Sequence, residues 1–195
     1  PIQWSLINGD SSTGVTVLKS DIGMDDGEVL MSREIAIDED DNAITLFDKL
    51  SKLSAEIVLD ALDSLESGNY NYTKQDDSLA TNCKMLSPQM SKIDFNQSAK
   101  AVVGLIKGLA MWPNACITID GVYFKLFNAK LSTLDSDNAK AGEVLVANNK
   151  QGLIIKCGIG AVEITELLPI NSKKMTAKSY LNGKKINVGS IAQSE

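Results

Sequence analysis

The chain has 195 residues, of which 44% are apolar, and its 25 acidic and 19 basic side chains give a formal net charge of −6. No run approaches the roughly 18 uncharged apolar residues of a membrane-spanning helix, so we expect a cytoplasmic globular protein with no membrane partner. The sequence has no histidine and its 3 cysteines form no CxxC pair, which disfavours a metal site and removes the commonest general base.

Charge is divided unevenly along the chain. Residues 1–86 carry 6 basic and 17 acidic side chains, whereas residues 87–195 carry 13 basic and 8 acidic ones. Residues 69–89 lose hydrophobic periodicity and are rich in Asn, Asp, Ser and Thr. We therefore predict two domains, at 1–70 and 91–195, joined by a linker at 71–90. The basic half suits a polyanion such as RNA, and a solvated lysine face explains it equally well.

The first domain is predicted to mix α and β structure. A short helix is expected before Asn8-Gly9, a strand at "TGVTVLK", and a second strand or bent strand pair at "GEVLMSREIAI". From Ile44 to Ser67, apolar side chains recur every three or four residues, as on one continuous face of an amphipathic helix. Gly68 follows as a stop signal.

The second domain is predicted to be mostly β structure. A helix at "NQSAKAVVGLIKGLAMWPN" precedes five strand-like runs, "ACITID", "VYFKLFNAKL", "GEVLVANN", "GLIIKCG" and "AVEITELLPI", and a last helix follows at "MTAKSYLNG". Short strands separated by Gly- and Asp-containing turns are typical of a small barrel or sandwich.

An acidic loop, "SDIGMDDGEVLM", follows the first strand. Its carboxylates, at Asp21, Asp25, Asp26 and Glu28, are interleaved with Gly23 and Gly27. A polar hairpin loop explains this composition, because Asp and Gly are ordinary turn residues. A loop that brings its backbone close to a ligand explains it too, because glycine adopts backbone angles that other residues avoid.

Several separated segments, in this order, resemble methionyl-tRNA formyltransferases. "PIQWSLINGDSSTGVTVLKSDIGMDDGEVL" and "TLFDKLSKLSAEIVLDALDSLESG" are similar to the family's catalytic domain. "KIDF", "IKGLAMWP", "GEVLVANNKQGLIIKCGIGAVEITELLP" and "KKMTAKSYLNGKK" are similar to its tRNA-binding domain. The resemblance implies an α/β plus all-β fold, with the C-terminal remnant of a Rossmann-like formyltransferase domain followed by a small OB-like β-barrel.

The resemblance also implies an activity and its residues. The family transfers a formyl group from 10-formyltetrahydrofolate to the amino group of methionine on initiator tRNA, and we expect a monomer that needs no metal. Asp25, in "GMDDG" where most members read G-L-D-T-G, occupies the position of the catalytic aspartate. The folate pocket would be lined by Asp21, Ile22, Gly23, Met24 and Asp25. The RNA-binding residues would be Lys107, Lys156, Lys173 and Lys174.

The sequence is compatible with more than one function. The family's catalytic asparagine and histidine would lie before Pro1, so the chain resembles the C-terminal two-thirds of an enzyme and is expected to be inactive alone. Lys107 stands where the family usually has arginine, and it lacks the planar fork that grips phosphate. A related formyltransferase acting on a sugar amine, or a non-catalytic RNA-binding module, would share much of this pattern.

Overall fold

The computed structural model describes residues 1–134 and 136–194, which form two compact units. The hairpin unit consists of residues 11–38 and 45–84, and the sheet unit consists of residues 1–10, 39–44 and 85–194. Residues 1–10 and 39–44 thus group with the C-terminal part of the chain by contact. The linker expected at 71–90 remains a prediction.

In the hairpin unit, strands β1 (Ser12–Leu18) and β2 (Val29–Ala36) pair in antiparallel register, from Ser12 opposite Ala36 to Leu18 opposite Val29. The long helix predicted from periodicity is confirmed as α2 (Ala43–Glu66), which belongs to the hairpin unit from Thr45 onward. The apolar stripe along this helix is buried at one edge and exposed at the other. The buried face carries Leu50, Leu53, Ile57 and Ala61, and the exposed face carries Phe47, Val58, Leu62 and Leu65.

Two glycines allow close helix packing in the sheet unit. Helix α1 (Ile2–Asn8) packs on α3 (Ala99–Gly108), whose first turn is capped by the Ser98 hydroxyl. A Cβ atom at Gly104 would lie 2.7 Å from the carbonyl oxygen of Leu6, and one at Gly108 would lie 2.5 Å from Cγ1 of Ile7. Only glycine therefore fits at these two positions of α3 without moving α1.

The rest of the sheet unit is an antiparallel sheet with spatial order β3-β4-β7-β6-β5, and β8 pairs with the free part of β7. The five predicted strands are confirmed, with the ends of β4 as predicted, whereas β8 was not predicted. The strands are β3 (Ala115–Ile119), β4 (Val122–Leu131), β5 (Val144–Asn148), β6 (Gly152–Lys156), β7 (Ala161–Pro169) and β8 (Met175–Thr176). Helix α4 (Ala177–Gly183) follows, and the hairpin from β3 to β4 turns at Asp120 and Gly121, with φ of 50° and 76°. Two successive positive φ angles are typical of a tight type I′ turn.

The sheet curls around an apolar core. Phe124, Leu126, Leu153 and Ile164 are fully buried and meet Ile106 of α3 there. Near the C-terminus, Gln193 exchanges hydrogen bonds of 2.7 and 2.9 Å with Thr118 of β3, and the amide of Val144 donates to Ser190 at 2.9 Å. This C-terminal segment thus connects the two outer strands of the curled sheet. Among the described residues, no helix is long and apolar enough to cross a membrane.

Candidate functional site

The acidic loop joins β1 to β2 in the hairpin unit and has a tightly closed base. The amide of Lys19 donates to the carbonyl of Glu28 at 3.0 Å. Gly27 is buried beneath it, and a Cβ there would lie only 1.7 Å from the carbonyl oxygen of Lys19. Asp25 has a φ of 57°, in the left-handed region that residues other than glycine rarely adopt. The loop therefore combines a glycine that sterics require with a strained aspartate.

A glutamine outside the loop holds it in place. Nε2 of Gln75 donates to the carbonyl oxygens of Asp25 and Gly27, both at 2.7 Å. Gln75 comes two residues after Thr73, which exchanges hydrogen bonds of 2.8 and 2.9 Å with Val29 at the start of β2. Sequence reasoning missed this residue because it lies in a segment without periodicity. The only signal was an amide side chain among carboxylates.

Loop and glutamine border a cavity of about 400 Å³. Four acidic residues, Asp25, Asp26, Asp76 and Asp77, line it together with the apolar Met24 and Leu79. Hydrogen bonds from the hydroxyl and amide of Ser78 hold the pKa of Asp76 below its usual range. Such a cavity can accept protons from a ligand and can cover the apolar face of a ring.

The predicted folate-pocket residues divide around this cavity. Met24 and Asp25 line it, whereas Asp21, Ile22 and Gly23 lie on the exposed adjoining part of the loop. The Asp21 carboxylate accepts a hydrogen bond from the amide of Ile22 at 2.8 Å. Among the described residues, no group of three or more His, Cys, Asp or Glu side chains is arranged to hold a metal ion.

The four predicted RNA-binding lysines do not share one environment. Lys107 and Lys156 are buried, with 8% and 7% of their surface exposed. Nζ of Lys107 donates a hydrogen bond to the main-chain carbonyl of Glu39. Burial lowers the pKa of Lys107, and this effect outweighs the negative charges of Glu39, Asp40 and Asp41, which raise it. Lys173 and Lys174 are exposed between β7 and β8. Nζ of Lys174 lies 3.0 Å from a carboxylate oxygen of Glu166.

A second cavity lies in the sheet unit. It has a volume of about 550 Å³ and is lined by Val122, Ile170, Met175, Tyr180 and Lys184, among others. Residues 171–188 contain 5 lysines and no acidic residue. The Tyr180 ring packs edge-to-face on Phe124, with 5.2 Å between ring centroids. Lys184, next to apolar and aromatic side chains in this lining, suits a ligand that carries a negative charge and a flat ring.

Comparison with known sequences places both parts of the chain in one family. Residues 1–62 match the family model described as formyl transferase, and residues 85–185 match the one described as formyl transferase, C-terminal domain. A methionyl-tRNA formyltransferase of Geobacter metallireducens is 36% identical over 189 residues, which is 97% of this chain and 60% of the relative. One of Caldanaerobacter subterraneus subsp. tengcongensis is 39% identical over 191 residues, 98% of this chain and 61% of the relative. The chain thus spans about three-fifths of the length of these relatives.

Solved structures give the same architecture. A variant of HypX from Aquifex aeolicus superposes with a TM-score of 0.64 at 27% identity, over 92% of this chain and 33% of that chain. HypX in complex with tetrahydrofolic acid gives 0.64 at 24% identity, over 96% and 35%. The sugar 3N-formyl transferase WlaRD gives 0.67 at 17% identity, over 88% and 60%, a likeness of fold alone.

Proposed function

Because the chain belongs to the formyl transferase family, we propose that it serves in the formylation of methionyl-tRNA: the transfer of a formyl group from 10-formyltetrahydrofolate to the amino group of methionine on initiator tRNA. The observation that carries this proposal is the Asp25 loop. It keeps the family's glycine and aspartate spacing and borders a carboxylate-rich cavity. The identity of 36 to 39% to methionyl-tRNA formyltransferases supports the same substrate.

Asp25 is the residue we assign to proton transfer. A protonated amine cannot attack, so the reaction needs a carboxylate that accepts a proton as the new N–C bond forms and the bond from the formyl carbon to the folate nitrogen breaks. The same proton then goes to that folate nitrogen as it leaves. In our proposal Asp21, Ile22, Gly23 and Met24 form the wall against which the folate ring lies.

The sheet unit is assigned to tRNA. We propose that Lys173 and Lys174 contact phosphates, because they are exposed in a segment without acidic residues. Lys107 and Lys156 share in this assignment only indirectly, since their burial suits support of the fold. We further propose that the curled sheet is an OB-like barrel and that the remnant of a Rossmann-like domain precedes it along the chain. The C-terminal connection between β3 and β5 supports the barrel. A monomeric, cytoplasmic protein is part of the same proposal.

Formylation of a sugar amine is the second candidate. The fold does not separate the two, because WlaRD shares it. The lysine-rich segment 171–188 favours a polyanionic substrate, since a nucleotide sugar carries few phosphates.

Folate binding by the chain tests the catalytic assignment. Gly27→Ala would place a Cβ 1.7 Å from the Lys19 carbonyl oxygen and distort the loop. The control is Gly183→Ala, whose Cβ would meet no atom of the described residues within 4 Å. We expect calorimetry to show that the chain binds tetrahydrofolate and that Gly27→Ala weakens binding by about tenfold or more, while Gly183→Ala leaves it unchanged. Equal binding by all three proteins would place the folate elsewhere, and no binding by any would remove the folate assignment.

A further inference from the structure

We propose that Gln75 is a positioning residue for Asp25: its side-chain amide fixes the left-handed turn that directs the Asp25 carboxylate toward the cavity, and so sets the affinity of the loop for folate. The inference rests on the proposed function, because it takes the Asp25 loop as the folate site. It is carried by two hydrogen bonds of 2.7 Å from one nitrogen to the carbonyls of Asp25 and Gly27.

The chemistry of glutamine fits this contact. A side-chain NH₂ group has two donors, and here it meets two main-chain acceptors two residues apart in the loop. An ionised glutamate of the same shape has no donor and would face both carbonyl oxygens with negative charge. The contact therefore depends on the donor as well as on the size of the side chain.

The acidic loop needs a contact from outside the loop to hold its conformation. Residues 19–28 contain no regular strand or helix up to Glu28, and Asp25 adopts a φ of 57° that is unfavourable for a residue with a side chain. A strained conformation persists when the surrounding structure holds it. The pairing of Thr73 with Val29 brings Gln75 to the loop in a fixed register. The hydrogen bonds that hold the loop therefore come from the segment that follows α2.

The position of the Asp25 carboxylate depends on the two hydrogen bonds from Gln75. The direction of the Cα–Cβ bond of Asp25 depends on its φ, so release of the turn moves the carboxylate relative to Met24 and Asp76, which line the same cavity. Displacement of a catalytic or binding group by about 1 Å is enough to weaken its interactions markedly. Gln75 would act on the ligand through Asp25 in this way.

Gln75→Glu tests the proposal, with Gln89→Glu as the control that makes the same charge change at an exposed glutamine outside the hairpin unit. The three-bond HN–Hα coupling of Asp25, measured by NMR, reports its φ, and calorimetry reports tetrahydrofolate affinity. We expect Gln75→Glu to alter the coupling and to weaken folate binding by about tenfold or more. Gln89→Glu should change neither, and both variants should have thermal midpoints close to that of the unsubstituted chain.

Four other results overturn the proposal or part of it. An unchanged coupling in Gln75→Glu means that Gln75 does not hold the turn. An altered coupling with full folate affinity means that the turn does not position a folate-binding group. If the unsubstituted chain binds no folate, while Gln75→Glu alters the coupling, the proposed folate function fails and the hold of Gln75 on the loop stands. A second variant, Gln75→Leu, removes the donors without adding charge, and a loss of affinity confined to Gln75→Glu would assign the effect to charge and overturn positioning.

Discussion

Nζ of Lys107 donates a hydrogen bond to the main-chain carbonyl of Glu39, which brings a buried ammonium group next to the acidic run Glu39, Asp40 and Asp41. We expect Lys107→Met to lower the free energy of unfolding by about 1–3 kcal/mol, because the charge-assisted hydrogen bond to the Glu39 carbonyl is lost. Lys100→Met, at an exposed position of the same helix, is the control. Urea denaturation measures both, and equal stabilities would show that the contact adds nothing.

The same lysine predicts a pH dependence. In the folded protein, burial lowers the pKa of Lys107 below its ordinary value of 10.5. At a pH between the folded pKa and the unfolded pKa, the unfolded chain therefore binds more protons than the folded protein. The free energy of unfolding contributed by this group therefore rises as the pH increases from the folded pKa to the unfolded one. We expect the stability of the unsubstituted chain relative to Lys107→Met to increase over that alkaline range. Taking the difference cancels the other titrating groups, and a flat or falling difference would contradict the burial of the charge.

Packing of α1 on α3 predicts the effect of two alanine substitutions. Gly104→Ala would bring a Cβ to 2.7 Å from the Leu6 carbonyl oxygen, and Gly108→Ala would meet the carbonyl of Gln3 at the same distance. We expect each to lower the free energy of unfolding by about 1–3 kcal/mol, despite the higher helix propensity of alanine. Gly183→Ala should be neutral or slightly stabilising, because its Cβ would have no neighbour within 4 Å in the part of the chain that the structure describes. If thermal unfolding gave Gly104→Ala a midpoint close to that of Gly183→Ala, the close packing of α1 on α3 would be ruled out.

We expect Asp120, in the turn between β3 and β4, to hold the C-terminal segment against the sheet by hydrogen bonds. The Asp120 carboxylate accepts hydrogen bonds from the amide of Asn187, at 2.8 Å, and from the hydroxyl of Ser190, and the Ser190 bond is the main cause that lowers the pKa of Asp120. Because the folded pKa lies below 3.8, this stabilisation is present above that pH and is lost as the pH falls through the folded pKa.

Asp120→Asn should therefore be less stable than the unsubstituted chain at neutral pH, and the difference should disappear in acid. Amide hydrogen exchange of Val144 and Gln193 reports the attachment of the segment directly. Asp48→Asn, at an exposed position of α2, is the matched control. Unchanged exchange in Asp120→Asn would show that the segment is held by its main-chain bonds alone.

Local pattern predicted the elements better than their arrangement. The periodicity of α2 and the β-branched runs of the sheet unit indicated the right structures, because both signals arise within the element. The packing of α1 on α3 depends on contacts between residues about 100 positions apart, which no local pattern contains. In the sequence, this helix packing is indicated by the four-residue spacing of Gly104 and Gly108.

The candidate site shows the same division. The loop motif pointed to Asp25, whereas Gln75 is 50 residues away and its two hydrogen bonds exist only in the folded hairpin unit. For Lys107 and Lys173, residue type alone gave no distinction. The fold buries the first and exposes the second, so sequence reasoning treated as equal two lysines with different environments.

The most direct test of the central claim is the affinity of the chain for initiator tRNA over a salt series. We expect a steep decrease of affinity with salt, and a double variant with Lys173→Ala and Lys174→Ala should reduce the slope of log affinity against log salt by about one to two. A double variant with Lys52→Ala and Lys92→Ala, at exposed lysines elsewhere, should change it less. Absence of tRNA binding even at low salt, or equal slopes for the two double variants, would contradict the assignment of the lysine-rich segment to tRNA.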